Sequence, residues 1–308
     1  MQNKYKLHYS VRLSTDVSFP ADVFADFPGC IPGREMRRAM ESRGSCDSEP
    51  GLSALTFSFA YIGSGGKRCL PSPISFAFVR NAPAQLRDRM ATDQNTDLFE
   101  RLHYLPRCFV TDPNADSIES VPVKKKTANN QIILSAGQSF IGFIEGAREP
   151  IERIADMVRK DSALALGGGS TEVDVLSVTE DAFETELCSD VTVRVLSPLL
   201  FRNPYGVYDE TEQPIIRAME RILGTAGVFS VKSRYRETCL MHVDGFPASY
   251  GTAAGSSFRL VCEEKQDIAK IRHCFIGCGT TDGYGEITVE PTKNLYCRTL
   301  SDKREGAE

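Results

Sequence analysis

One order of segments occurs twice along this 308-residue chain, and the repeat narrows the folds open to it. Gly137-Gln138-Ser139-Phe140 opens the apolar run 141–144; an acidic residue, a helical pattern, the cluster Gly167-Gly168-Gly169 and a closing strand at 173–178 follow. Gly255-Ser256-Ser257-Phe258 opens the run 259–262, and the same order ends in a second cluster (Gly277, Gly279, Gly283, Gly285) and a strand at 286–290. The first helical pattern starts at Pro150 and sets Ile151, Ile154, Ala155 and Val158 on one face; the second does so with Ile268, Ile271 and Phe275. Each copy follows an earlier strand–helix pair. Residues 5–13 alternate polar and apolar and precede a helix from about Pro32, with Met36, Ala39 and Met40 on one side. Val191, Val193 and Val195 alternate and precede a helix from Pro214, with Ile215, Ala218, Met219 and Ile222, stopped by Gly224. With strand runs at 55–61, 228–231 and 238–243, both halves read strand–helix–strand–strand–helix–strand. The expected fold class is therefore α+β: two ferredoxin-like (RRM-like) βαββαβ domains in tandem, with glycine-rich helix-to-strand loops.

The expected domains are 1–182 and 183–293, joined at the polar stretch 180–186, with a tail at 294–308 that should fray. Residues 63–130, rich in Pro, Asp and Arg, fit neither unit and read as a long insertion in the first domain. With 41% hydrophobic and 25% charged residues, the balance excludes a mainly disordered chain. The 36 Lys+Arg against 41 Asp+Glu give a net charge of -5, a poor profile for a free-standing nucleic-acid binder. A basic strip on an acidic body still suffices for one subunit of an assembly. No run approaches the ~18 apolar residues of a membrane span, and the alternating N-terminus lacks the apolar core of a signal peptide. A cytoplasmic location with reduced cysteines is expected. Cys274 and Cys278 lie four apart, but no second pair and no His at ligand spacing follow, so free thiols are expected and a metal is not.

The stretch 277–285 reads G-x-G-x-x-x-G-x-G, but it follows a helical pattern and precedes a strand. A nucleotide-binding fingerprint follows a strand and opens a helix, so that phosphate meets the helix N-terminus. No nucleotide cofactor, nor any other cofactor, is expected. Two readings stay open: tight turns that need positive φ, or loops that another backbone, such as an RNA strand, approaches closely.

Four segments, in chain order, carry a resemblance to the RAMP superfamily of CRISPR effector subunits. Residues 30–40, Cys-Ile-Pro-Gly-Arg-Glu-Met-Arg-Arg-Ala-Met, are similar to its I-P-G-x-x-[LM]-[KR]-x-A motif, and Leu196-Ser197-Pro198 resembles a strand ending in Ser-Pro. Val243-Asp244-Gly245-Phe246-Pro247 through Gly251 to Gly255-Ser256-Ser257-Phe258 is similar to the G-F-x…G…A-G-S-x-F stretch of type III-D subunits. Ile276 to Gly285 resembles the terminal loop G-x-x-x-x-x-G-[FY]-G. Two features depart from the pattern: the first glycine loop, Gly168-Gly169-Ser170-Thr171, lacks a Gly-aromatic-Gly ending, and Arg34-Glu35 stands where a Ser-rich pair is commoner. The resemblance implies a subunit of a type III CRISPR ribonucleoprotein acting in antiviral defence, most similar to the type III-D group-five kind. Such a subunit holds the crRNA 5′ handle, touches the large polymerase-like subunit and the first backbone RAMP subunit, and meets target RNA through the complex.

The residues expected to bind RNA follow from chemistry and resemblance together. Arg34, Arg37 and Arg38 cluster at a helix start, where guanidinium forks and helix amides suit phosphate. Lys124, Lys125 and Lys126 precede Thr127, Asn129 and Asn130, a pattern that suits a sugar–phosphate path. Lys67-Arg68 is a further basic pair, and Arg234 and Arg236 flank Tyr235, which could stack a base. The glycine loops add Gly168, Gly169, Ser170, Gly277, Gly279, Thr280, Thr281, Gly283 and Tyr284. The RRM signature is absent, so RNA would be held by loops and helix ends. Solvated charged faces and plain turns are the structural alternatives.

Backbone members of the superfamily cut target RNA with an Asp in the loop before I-P-G, and that loop here holds Asp16, Asp22 and Asp26. Loop aspartates also serve as caps and turn formers. His8 lies on the polar face of the first strand, His103 and His242 sit among apolar or aromatic residues, and His273 ends a helical pattern; each reads as packed or solvated. The expectation is a non-catalytic RNA-binding subunit. The alternatives are a metal-dependent endoribonuclease using Asp26, and a ferredoxin-like small-molecule enzyme with a deep apolar pocket.

Overall fold

The alternation at 5–13 places Leu7, Tyr9, Val11 and Leu13 on one buried face of a strand and Lys6, His8, Ser10 and Arg12 on the other, where all but Lys6 are at least partly exposed. In a computed structural model this strand, Tyr5–Leu13, is central to a mixed, mostly β architecture with few helices. The structure describes residues 4–20, 29–43, 52–79, 82–91, 102–104, 108–113, 115, 117–129, 131–181, 184–202, 208–209, 211–241, 249–292 and 298–302.

The first sheet runs in the order Ala163–Leu166, Gly169–Glu180, Tyr5–Leu13, Ser139–Gly146, Ala60–Ser64, Cys30–Ile31. Register pairs Leu7 with Ile144 and Val11 with Phe140 on the face covered by helices α1 (Gly33–Arg43) and α2 (Arg148–Lys160). Met36 and Met40 of α1 and Ile151, Ile154, Ala155 and Val158 of α2 are buried there. A second sheet runs Ser230–Tyr235, Ser257–Asp267, Leu187–Val195, Glu286–Pro291, His273–Phe275. Helix α3 (Gln213–Leu223) covers it, with Pro214 in the first turn and Gly224 ending it at φ 75°. Its buried face is Ile215, Ile216, Met219 and Glu220, while Ile222 is exposed. Glu220 is tolerated inside because its carboxylate accepts the Val228 and Phe229 amides at 2.8 and 3.2 Å.

Several expectations are corrected. The strand Ser257–Asp267 runs on until the Asp267 carboxylate accepts the Ala269 amide, so few residues remain before the strand His273–Phe275. The second expected helix therefore shrinks to one 3-10 turn, Ala269–Ile271, although Ile268 and Ile271 are buried as their spacing required. Neither glycine cluster is a helix-to-strand loop. Gly167 and Gly168, at φ 54° and 74°, make a two-residue β-hairpin turn in which Leu166 pairs with Gly169. The second cluster joins two strands.

The segment at 63–130 builds its own seven-stranded sheet, and the tail expected to fray joins it. Arg298–Asp302 pairs parallel with Ser117–Val121 and antiparallel with Ala82–Asp88, occupying an edge that each would otherwise leave open. The lysine triplet reaches the hairpin of Lys125–Ala128 and Gln131–Leu134, which pairs with Val17–Pro20. One apolar core joins the first sheet to Leu200, Met241, Ala253 and Tyr284 from the C-terminal part; a second underlies the second sheet. The described cysteines are free thiols. Among the described residues no helix is long and apolar enough to cross a membrane.

Candidate functional site at the seam between the sheets

The polar face of Tyr5–Leu13 turns away from α1 and α2 and meets the second sheet. Register sets Lys6 opposite Glu145 and His8 opposite Phe143. Gly65 and Gly66, at φ 57° and 75°, turn the chain so that Arg68 comes back over the rings of Tyr61 and Phe143, at 4.6 and 5.3 Å. From the second sheet, His273 and Glu286 arrive on neighbouring strands. Arg68 grips Glu286 with both terminal nitrogens, at 2.5 and 2.8 Å, and donates to the Phe59 carbonyl at 2.6 Å.

Glu286 is fully buried. Burial alone would push its carboxyl up, but the charge and hydrogen bonds of Arg68, joined by His273, hold it down to about 2. His273 Nε2 lies 2.9 Å from Glu286, and Lys6 Nζ lies 3.3 Å from its Nδ1. A carboxylate only accepts, so His273 turns its Nε2 proton toward Glu286. Lys6 also donates to Asp181 at 3.0 Å. His8 lies half-buried beside Phe143, ring centroids 5.9 Å apart, and no hydrogen bond to its ring occurs among the described residues. Burial, and then the charges of Lys6, Arg68 and His273, lower its pKa, so His8 is a neutral base at pH 7. A neutral imidazole beside cationic nitrogens and a carboxylate-held second imidazole is a set suited to proton transfer.

The RNA-binding residues expected from sequence fall in several places. Arg37 donates to the Leu55 carbonyl at 2.8 Å and to the Thr281 carbonyl, pairs with Asp282 at 3.2 Å, and lies over the Phe57 ring. Arg34 is buried beside Glu35, and Arg38 pairs with Glu35 at 3.1 Å. Thr280, Thr281 and Gly283 thus come together with the start of α1, while Tyr284 packs edge-on to Phe59 at 5.2 Å. The close backbone approach inferred for the glycines is made by this chain itself: a Cβ on Gly33 would sit 1.9 Å from the Phe57 carbonyl, one on Gly283 2.4 Å from it, and one on Gly277 2.6 Å from that of Leu200. Gly279, at φ 72°, starts the 3-10 turn Thr280–Asp282.

The other expected residues do not join this group. Gly168 and Ser170 are exposed on the first hairpin, and Gly169 abuts Asp16. Lys124, Lys125 and Lys126 are exposed on theirs. Arg234 pairs with Glu212 at 2.8 Å, and Arg236 donates to the Tyr208 hydroxyl. Asp16 accepts the Ala136 amide at 2.8 Å. Asp22, Asp26, Asn130, His242 and the 243–247 stretch lie outside the described residues, as does the side chain of His103. Among the described residues no three His, Cys, Asp or Glu side chains gather as a metal set. The seam itself was missed: the polar-face position of His8 was readable, but nothing in the sequence brings His273, Glu286 and Arg68 beside it.

No protein-family model and no curated protein matches the chain. Among solved structures it is similar to a RAMP protein described as binding different RNA substrates, at 14% identity and TM-score 0.43, covering 94% of this chain and 100% of that one. It is similar to a Cas6 product complex at 11% identity and TM-score 0.45, covering 93% and 99%. It is also similar to Csf5, described as a type IV Cas6 crRNA endonuclease, at 12% identity and TM-score 0.36, covering 93% and 99%. The expectation of a non-enzyme is corrected: two of these neighbours are Cas6 proteins, one named an endonuclease and the other solved with its product.

Proposed function

We propose that this chain is a CRISPR-associated RNA-binding protein of RAMP build that holds a crRNA by its 5′ handle within a type III-D effector. The observation that carries the reading is a convergence in space. Three of the four segments behind the resemblance are far apart in sequence yet form one unit. Arg37 of the I-P-G helix binds the Thr281 carbonyl, the Gly285 amide donates to the Pro198 carbonyl at 2.9 Å, and the Ser197 hydroxyl donates to the Gly283 carbonyl at 2.6 Å. Strand order supports the tandem ferredoxin-like arrangement on which this rests: in each sheet the opening strand lies between the closing strand and the third. Domains at 1–182 and 183–293, contacts to the large and backbone subunits and a cytoplasmic location belong to the same reading. The test is purification of the full chain from cells carrying its neighbouring genes, with sequencing of any RNA retained. Short RNAs sharing one 5′ end are expected; a preparation without RNA would overturn the reading.

The His8–His273 cluster favours a second reading, RNA strand cleavage at the seam. His8 takes the proton of a 2′-hydroxyl, that oxygen attacks the adjacent phosphorus, and the 5′-oxygen leaves to take a proton from water. The products are a 2′,3′-cyclic phosphate and a 5′-hydroxyl, and Lys6 offsets the charge gathering on the phosphate. The competing locus is Asp26. Cleavage that survives chelation and Asp26→Ala but falls about a hundredfold in His8→Ala supports the seam; loss with Asp26→Ala alone assigns the loop.

A further inference from the structure

The strands Thr238–Met241 and Ser249–Thr252 form a two-stranded hairpin apart from both main sheets. Its two faces differ sharply. Cys239, Met241 and Gly251 point inward: Cys239 and Met241 belong to the first core, and a Cβ on Gly251 would collide with Met241 Sδ at 2.0 Å. On the outer face Leu240 stands directly opposite Tyr250, and they are 40% and 62% exposed. A tyrosine that open on an anchored hairpin is not there for the core.

Its surroundings indicate an occupant. Thr252, two residues beyond Tyr250, is buried where the hairpin pairs with Leu199. The Thr252 hydroxyl lies 3.1 Å from that of Tyr208, and the Arg236 guanidinium sits 5.3 Å from the Tyr208 ring centroid while donating to its hydroxyl. Half-buried Arg202 reaches the hairpin edge by donating to Ser249 at 2.8 Å, Arg236 is half-buried too, and Arg234 on the preceding strand is exposed. The acidic neighbours are Glu237, exposed beside Arg236, and Glu212, paired with Arg234. An exposed ring, an apolar partner across the strand and arginines on the flanking segments form a surface for a polyanion with flat faces.

We propose that the outer face of this hairpin, centred on Tyr250, stacks a base of single-stranded RNA, with Arg236 and Arg202 beside it meeting the phosphates. The proposal rests on the RNA-binding reading above. Tyr250 contributes contact through its ring, so Tyr250→Phe keeps the site and Tyr250→Ala removes it.

The test is the affinity of the full chain and both variants for short fluorescein-labelled single-stranded RNA, with melting temperatures checked for equality. Binding about tenfold weaker in Tyr250→Ala, near wild type in Tyr250→Phe, and a photo-crosslink mapping to Tyr250 are expected. Wild-type binding that is unchanged in Tyr250→Ala overturns the stacking site and leaves the RNA-binding reading standing. Unchanged RNA affinity with loss of a co-purifying protein overturns it in favour of a protein-docking face. A wild-type chain that binds no RNA removes both.

Discussion

At Glu286 a carboxylate has been taken wholly out of water, and its stability there depends on Arg68 and His273. Removing one partner of such a pair leaves the other charge buried alone, a larger loss than the pair's own net worth. Glu286→Gln is expected to cost about 3 kcal/mol in urea unfolding. The pH dependence has a definite sign. The Glu286 carboxyl titrates near 4.5 in the unfolded chain and is held to about 2 when folded, so its contribution is complete above 4.5 and is lost as pH falls toward 2. His8 is also lowered, from 6.5, so the unfolded chain takes its proton first and stability begins to fall below that pH. Unfolding free energies measured across the acid range should show both losses in wild type, the lower one reduced in Glu286→Gln, where the lowered carboxyls of Asp190 and Asp267 remain, and the upper one absent from His8→Asn. The alternation at 5–13 made the polar face legible, His8 included. The Lys6–His273 contact spans 267 positions and depends on how two sheets meet, which no local pattern encodes.

Elements were legible where one face is apolar and long enough to count. Among the described residues the three α-helices start within a few residues of their prolines because amphipathic spacing and punctuation agree. The missing fourth helix shows the limit: Ile268 and Ile271 satisfy a helical spacing, yet three residues of 3-10 turn bury both equally well. The glycines were legible as special positions but not as to which backbone they admit. That distinction is testable by substitution. Gly33→Ala places a methyl inside the contact with the Phe57 and Asp282 carbonyls, and a loss of about 2 kcal/mol or more is expected in thermal unfolding. The two hairpin glycines should differ. Gly167 has φ 54° and the Ser18 carbonyl 2.6 Å from a Cβ, so Gly167→Asn is destabilising. Gly168 has φ 74° and open space, and asparagine tolerates that backbone, so Gly168→Asn should stay within about 0.5 kcal/mol of wild type.

At the scale of the whole molecule, the repeat in the sequence suggests two independent units, whereas the packing ties them together at three places. The seam joins Arg68 to Glu286, the glycine loop sits on α1, and the segment at 63–130 lies across the outer face of the second sheet. There Asp88 pairs with Arg194 at 2.7 Å and accepts from Ser75, while Arg259 donates to the Met90 carbonyl at 3.0 Å. Asp88 and Arg194 are 4% and 5% exposed. That face was not legible as covered, because the covering residues precede the second repeat by about a hundred positions and carry no periodic signal. Since the first core also takes Leu200, Met241 and Tyr284 from the C-terminal part, one cooperative unfolding transition is expected by calorimetry and by circular dichroism alike. Asp88→Ala tests the third tie. It leaves the Arg194 charge buried without its carboxylate, a loss of about 3–5 kcal/mol, whereas adding Arg194→Met should recover much of that because no buried charge then remains. If the single change lowers stability no more than the double one, the pair contributes nothing to the joint. If Asp88→Ala instead splits the melt in two, this ion pair is what makes the two sheets unfold together.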